Sequence, residues 1–304
     1  MAQGRLAGAN LLLLLTLGAL WGTAFMFITL GLPSFSPLLF AALRFDVAGA
    51  VILAVALWRR APLRPAGRAQ WTAIGVAAVL NVGAYHALLF WGQRFTTPAV
   101  AAVIVGLNPV ITTVLSTWLL TDERVGWHGV VGLVLGFLGI LALAALKEGS
   151  LLDVRGVAEL AVIGAIASWS LGSILVRRTR HGMDVFAFTA WQMLAGAALL
   201  HAGALVLDRP YFAVWSGEGV VSLLYLAVVS SSLGFVLYFT LLERIGPIRT
   251  NLVSHVAPVF AALAGWAVLG APVEPRAFVA FALIVAGFGL VARPAKPAAA
   301  AART

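Results

Sequence analysis

The sequence predicts an all-α integral membrane protein, with ten transmembrane helices arranged as two inverted five-helix repeats. Its 304 residues are 62% hydrophobic and only 10% charged, with a mean hydropathy of +1.02. That is far from the composition of a soluble domain. Ten apolar runs of about 17 to 25 residues are each long enough to cross ~30 Å of hydrocarbon as a helix. The chain also matches itself at an offset of 148 to 149 residues, which predicts the repeat.

In order, the runs are Leu11 to Leu30, Pro37 to Trp58, Trp71 to Trp91, Pro98 to Leu120, Trp127 to Leu146, Val157 to Val176, Val185 to Leu207, Gly219 to Leu242, Ile248 to Leu269 and Pro275 to Ala292. The first follows Arg5 as a secretory signal would. It continues to Leu30 without a small-x-small cleavage pattern, so it counts as a span. Cysteine is absent, which excludes disulfides, thiolate nucleophiles and cysteine-held metals. A net charge of +9 raises the question of nucleic acid. The basic residues, however, lie scattered in short segments between apolar runs and form no single face, so no nucleic-acid partner is expected.

With ten spans both termini share one side. The loops on that side carry Arg59, Arg60, Arg64, Arg68, Arg124, Arg177, Arg178, Arg180, Arg244 and Arg249, whereas the opposite loops carry Arg94, Lys147, Arg155, Arg209 and Arg276. Basic loops face the cytoplasm, so both termini are expected there. The expected units are residues 11–146 and 157–292, followed by a disordered cytoplasmic tail, 293–304.

The self-match places Trp21 on Trp169 and Arg44 on Gln192 at 148, then Pro98 on Pro247 and Pro109 on Pro258 at 149. Five spans per half is odd, so the second half enters the membrane from the opposite side. That is the inverted-repeat plan of secondary transporters, which bind substrate near mid-membrane between the halves.

Candidate binding groups follow from polarity inside hydrocarbon. A proline has no N–H for the carbonyl four residues back, so Pro109 frees that of Val105 and Pro258 that of Ser254. Either these acceptors face a shared cavity, or the prolines only kink their helices. Asn251, Ser254 and His255 share a helical face with Pro258. Asn108 precedes the other proline. Span three offers Asn81, Tyr85 and His86, and span eight Ser230, Ser231, Ser232 and Tyr238; span six adds Ser168, Ser170 and Ser173. Such groups face a bundle interior or a cavity far more often than lipid. Trp21 and Trp169 are candidates for an apolar wall, with an interfacial belt as the alternative.

Arg44 lies seven residues into span two, ~10 Å deep at 1.5 Å per residue. It either faces the cavity to hold a carboxylate or bonds helix-end carbonyls. Asp46, turned ~200° from Arg44 about the helix, is a possible proton site or a partner for a neighbouring helix. Gly129, Gly132, Gly136 and Gly139 in span five, with small residues in span ten, predict either bundle bracing or a homodimer seam. No phosphate-cradling G-x-x-x-x-G-K-[ST] sequence occurs, and no His, Asp or Glu cluster has metal-ligand spacing, which disfavours an ATP-driven engine and an intramembrane enzyme.

Trp21-Gly22, Arg44-Phe45, the mid-span Pro109 and Pro258, and Glu123 after span four together resemble the drug/metabolite transporter superfamily and, within it, the EamA-like ten-span exporters. The resemblance covers about residues 11 to 292. The second half departs from the pattern, with Gln192 in place of Arg44 and Pro272 near the place of Glu123. The resemblance implies a bacterial inner-membrane exporter of amino acids, aromatic and hydrophobic ones included, and related metabolites. An exporter of hydrophobic drugs is the alternative. The implied partners are a small-molecule substrate and membrane lipid; no cofactor is expected.

Overall fold

The computed structural model describes residues 8–95, 104–120, 126–145, 156–179 and 181–269, with 279, 282–283, 285–287 and 289–290 of the last run. Apart from one isolated antiparallel bridge between Phe35 and Ala213, the described residues are helices and their connections. They form α1 (Ala9–Gly31), α2 (Pro37–Trp58), α3 (Arg68–Gln93), α4 (Asn108–Leu119), α5 (Trp127–Ala145), α6 (Gly156–Thr179), α7 (Val185–Leu207), α8 (Gly217–Thr250) and α9 (Val253–Leu269). Among the described residues, six helices are long and apolar enough to cross a membrane: α1, α2, α3, α7, α8 and, within α6, Leu160–Thr179. Most of the expected tenth span, together with Pro98, Glu123, Pro272 and the tail 293–304, lies outside the described residues.

Helix ends follow local chemistry. Pro37 opens α2, where a missing N–H costs nothing. The carboxylate of Asp208, at the end of α7, accepts from the N–H groups of Leu38 (3.1 Å) and Leu39 (3.0 Å), capping α2 from the other half of the chain. Asp184 caps α7 through Phe186 and Ala187, and Ser216 caps α8 through Gly219. Gly246, at φ 80° and ψ 167°, interrupts α8, a conformation that favours glycine. The next span therefore begins at Pro247 and breaks again at Asn251–Leu252 before α9.

The packing carries the repeat. α1 packs on α9 and α8, and its equivalent α6 packs on α4 and α3; α2 packs against its own equivalent, α7. Each half thus lends its first helix to the other, about an axis passing between α2 and α7. Two π-helical segments, Ala77–Ala84 in α3 and Tyr225–Leu233 in α8, fall at equivalent places, offset by 148 at the start and 149 at the end. The single-residue gap between the halves is this extra π residue.

The symmetry fails at one place. α8 packs against α4 and α6, but no comparably extensive contact joins the equivalent α3 to α9 or α1 among the described residues. The bundle is therefore shut at the end bearing Arg59, Arg60, Arg177 and Arg178 and parted toward the other. We call these the basic end and the far end.

Spans five and ten brace each other. A side chain at Gly287 would meet the backbone of Gly132 and Gly136, and one at Gly136 would also meet the ring of His255. The glycine pattern of α5 thus serves contacts within one chain at these positions.

Candidate functional site

The parted half of the bundle holds a cavity of about 590 Å³, including its mouth. Its lining is mostly apolar with a few polar groups, the composition of a small-solute site. Trp21, Phe25 and Ile28 of α1 form one wall. Tyr85, His86 and Leu89 of α3 face it, and Trp169 and Phe235 close the inner end. Ser254, whose carbonyl lacks a helical donor because of Pro258, lines it, as do Val105, Asn108 and Ser230. Pro109 itself stands in the first turn of α4, after a turn at Gly106–Leu107 that interrupts the helix; it is not a mid-helix kink, and Val105, before that turn, has no helical donor for it to remove.

Arg44 is buried at 4% exposure and lines the cavity. Its Nε donates to Ser231 Oγ (2.5 Å) and its Nη2 to Ser230 Oγ (3.3 Å). These serines sit in the π segment of α8, whose wider turn places successive hydroxyls toward α2. No Asp or Glu is among the lining residues. Arg44 therefore holds a positive charge in the cavity wall that hydroxyl dipoles solvate and no lining carboxylate neutralises.

Trp21 and Trp169 meet edge to face with centroids 5.4 Å apart, and Trp21 stacks on Tyr238 at 5.3 Å. Indole N–H groups fix both: Trp21 donates to the Ser230 carbonyl (3.1 Å), and Trp169 to Tyr238 Oη (2.9 Å) and Asn251 Oδ1 (3.2 Å). His86 takes its place through Nδ1 and the Val82 carbonyl, 3.0 Å apart, with its ring edge-on to Phe45 and Tyr85.

Of the sequence candidates, Trp21, Arg44, Tyr85, His86, Asn108, Trp169, Ser230 and Ser254 line the cavity; Asn81, Pro109, Ser232, Tyr238, Asn251, His255 and Pro258 do not. Several of the latter belong to a hydrogen-bonded network beneath it. Asn108 Oδ1 accepts from Ser170 (2.7 Å), Thr112 donates to Ser170 (2.9 Å), and Asn251 donates to Thr112 (2.8 Å). Tyr238 donates to Asn251 Oδ1 (2.8 Å) and lies 2.6 Å from Ser173 Oγ. Asn81 donates to the Trp169 carbonyl (3.0 Å). The network joins α4, α6 and α8 to the turn before α9, and so ties shut the basic half. Ser232 bonds the carbonyls of Ala48 and Ala227. His255 is buried against Gly136.

Asp46 lies on the side of α2 away from the cavity and pairs with His201 of α7 at 2.6 Å, with both side chains well exposed at 44% and 38%. The two stand 155 positions apart, a separation at which the sequence gives no sign that they adjoin. Sequence reasoning missed the apolar walls Phe25, Ile28 and Phe235, which carry no signal in so apolar a chain.

Comparison with known proteins agrees with this architecture. The EamA-like transporter family matches residues 9–145 and 156–293, one copy in each half. YvbV of Bacillus subtilis (strain 168), described as an uncharacterized transporter, is 28% identical over 96% of this chain and 94% of its own. Protein PecM of Dickeya dadantii (strain 3937) is 30% identical over 87% and 88%. YedA of Escherichia coli (strain K12), described as an uncharacterized inner membrane transporter, is 29% identical over 93% and 92%. A crystal structure 23% identical in sequence superposes with a TM-score of 0.78, covering 93% of this chain and 96% of that one, and shows the fold. With a family match in each half of a helical membrane bundle, the chain belongs to the EamA-like transporter family.

Proposed function

We propose that this transporter exports amino acids, aromatic and other hydrophobic ones included, and related small carboxylates across the bacterial inner membrane by alternating access, with both termini cytoplasmic. The observation that carries this reading is Arg44, a buried cation in the cavity wall with serine hydroxyls but no carboxylate beside it. A substrate carboxylate ~4 Å away gains about 4 kcal/mol at an effective dielectric of ~20, enough to decide which end of the solute enters first. The freed carbonyl at Ser254 suits an ammonium, and the tryptophan pair suits an apolar side chain. Hydrophobic drugs are the second reading, favoured by Phe25, Ile28 and Phe235. They leave Arg44 without a counter-charge.

The test is purified protein in liposomes preloaded with labelled amino acids, with and without a pH gradient. Efflux above the protein-free rate for at least some of the panel is expected; efflux at that rate across the panel discards the substrate class. Asp46, bonded to His201, is the proposed site of a coupling proton. Asp46→Asn should abolish the response to the gradient, and an unchanged response removes that role.

A further inference from the structure

We propose that Gln192 is the cargo-facing group of a second half-site at the basic end, latent in this conformation, that meets a substrate carboxylate with a neutral amide where the far half uses Arg44. Naming the carboxylate rests on the function proposed above; the existence of the half-site does not.

Gln192 occupies the position in α7 that Arg44 occupies in α2, each seven residues from the start of its helix. The equivalence is physical as well as sequential, because α2 and α7 pack on each other about the axis of the repeat and the π segments correspond. Gln192 also faces the bundle interior. One turn away on the same face, Phe188 packs on Phe239 of α8, and one turn the other way a side chain at Gly196 would meet Val82 of the π segment of α3.

Gln192 is fully buried, yet both its amide nitrogen and its amide oxygen lack a protein partner, as does the hydroxyl of Thr189, three residues before it on the same face. Asn81 Oδ1 is likewise unpartnered, and Asn81 corresponds, within the one-residue gap, to the Ser230 that holds Arg44. Buried polar groups are nearly always bonded, and each exception calls for a reason. A packing role supplies none here, since an apolar side chain of the same volume would fill the space without leaving orphaned groups.

The one break in the packing symmetry supplies the reason. Closing α3 on α1 and α9 while α8 leaves α4 and α6 exchanges the two halves. The cavity at Arg44 is then lost, and an equivalent one opens at Gln192, Thr189 and Asn81. The contact on this side is a neutral hydrogen bond, roughly half as strong as the charge-assisted one at Arg44. The carboxylate is therefore held less tightly at the basic end than at the far end.

The chain has no cysteine, so single-cysteine variants need no prior engineering. Gln192→Cys and Arg44→Cys are placed in vesicles of known sidedness and exposed to a membrane-impermeant thiol reagent. Gln192→Cys should react only from the cytoplasmic face, faster when the network is broken by Tyr238→Phe, and Arg44→Cys only from the outer face. A Gln192→Cys that stays unreactive, or reacts from the outer face, in a monodisperse protein overturns the proposal. Should that variant fail to fold, Gln192→Glu decides, with phenylalanine as the probe. At least a tenfold higher KM for loading from the cytoplasmic side, with less than a twofold change from the outer side, is expected; equal change on both sides rejects the half-site. Loss of phenylalanine transport by the unaltered protein would defeat the proposed function, yet leave the labelling result to stand or fall alone.

Discussion

Trp21 and Trp169 occupy equivalent positions in the two halves, and their rings meet edge to face, 5.4 Å apart, at the floor of the cavity. The repeat axis thus passes close to the place where cargo and closed network adjoin. Trp169 belongs to both, lining the cavity with its ring and bonding Tyr238 and Asn251 with its N–H.

These two roles separate by substitution. Trp169→Phe keeps a ring but loses the indole N–H, whose one hydrogen is shared between Tyr238 Oη and Asn251 Oδ1 and contributes ~1 kcal/mol. It should shift the balance between conformations and alter maximal flux several-fold while KM stays within about threefold. Trp169→Ala also removes the edge-to-face contacts, worth ~0.5–1.5 kcal/mol beyond buried area, and should raise KM tenfold or more. Initial-rate flux in liposomes distinguishes the two. Equal KM for both variants would show that the ring does not touch cargo.

Gly22 lets α1 lie on α9. A Cβ there would overlap the carbonyl of Ala257 and approach Phe260 Cβ to 2.9 Å, which is backbone and packed side chain with no flexible end to yield. Gly22→Ala is expected to cut the yield of monodisperse protein several-fold. Normal yield and normal flux together would mean that the helices part without cost.

Asp208 holds the start of α2 from the end of α7. Asp208→Ala removes a cap worth ~1 kcal/mol and should lower the midpoint of thermal unfolding in detergent, with KM unchanged. A raised KM with an unchanged midpoint would place Asp208 in the transport path instead.

His181, between α6 and α7, is pushed below its usual pKa by burial. Its Nδ1 accepts from the Met183 N–H (3.1 Å), its ring stacks on Phe188 at 4.5 Å, and Glu243 stands 3.9 Å from Nε2. The folded chain therefore binds fewer protons here than the unfolded chain, whose histidine titrates near 6.5. The stability tied to neutral His181 is complete above that pH and is lost as pH falls below it. His181→Asn keeps an acceptor and cannot titrate, so the unfolding midpoint should depend less on pH between 7 and 5. An unchanged slope assigns the dependence to other groups.

The spans within the described residues, the repeat and eight of the cavity residues were legible because hydrocarbon makes polar side chains conspicuous. Trp21, Arg44 and Asn108 stand out against leucine and alanine. Illegible was which polar groups face cargo and which face each other. Tyr238 and Asn251 share the chemistry of Tyr85 and Asn108, and only the closed state of the basic half turns them into a network. Pairs distant in sequence, Asp46 with His201 and Asp208 with Leu38, likewise depend on which helices adjoin. The shift of Pro109 from a kink to a helix start reflects a turn at Gly106–Leu107 that periodicity does not mark.

The most direct test of Arg44 as the reader of cargo charge compares labelled phenylalanine with phenylalaninamide, which keeps the ring and ammonium but lacks the carboxylate. In liposomes the unaltered protein should carry the acid at least tenfold better than the amide, and Arg44→Gln should erase that preference. Equal transport of acid and amide by the unaltered protein would contradict the account.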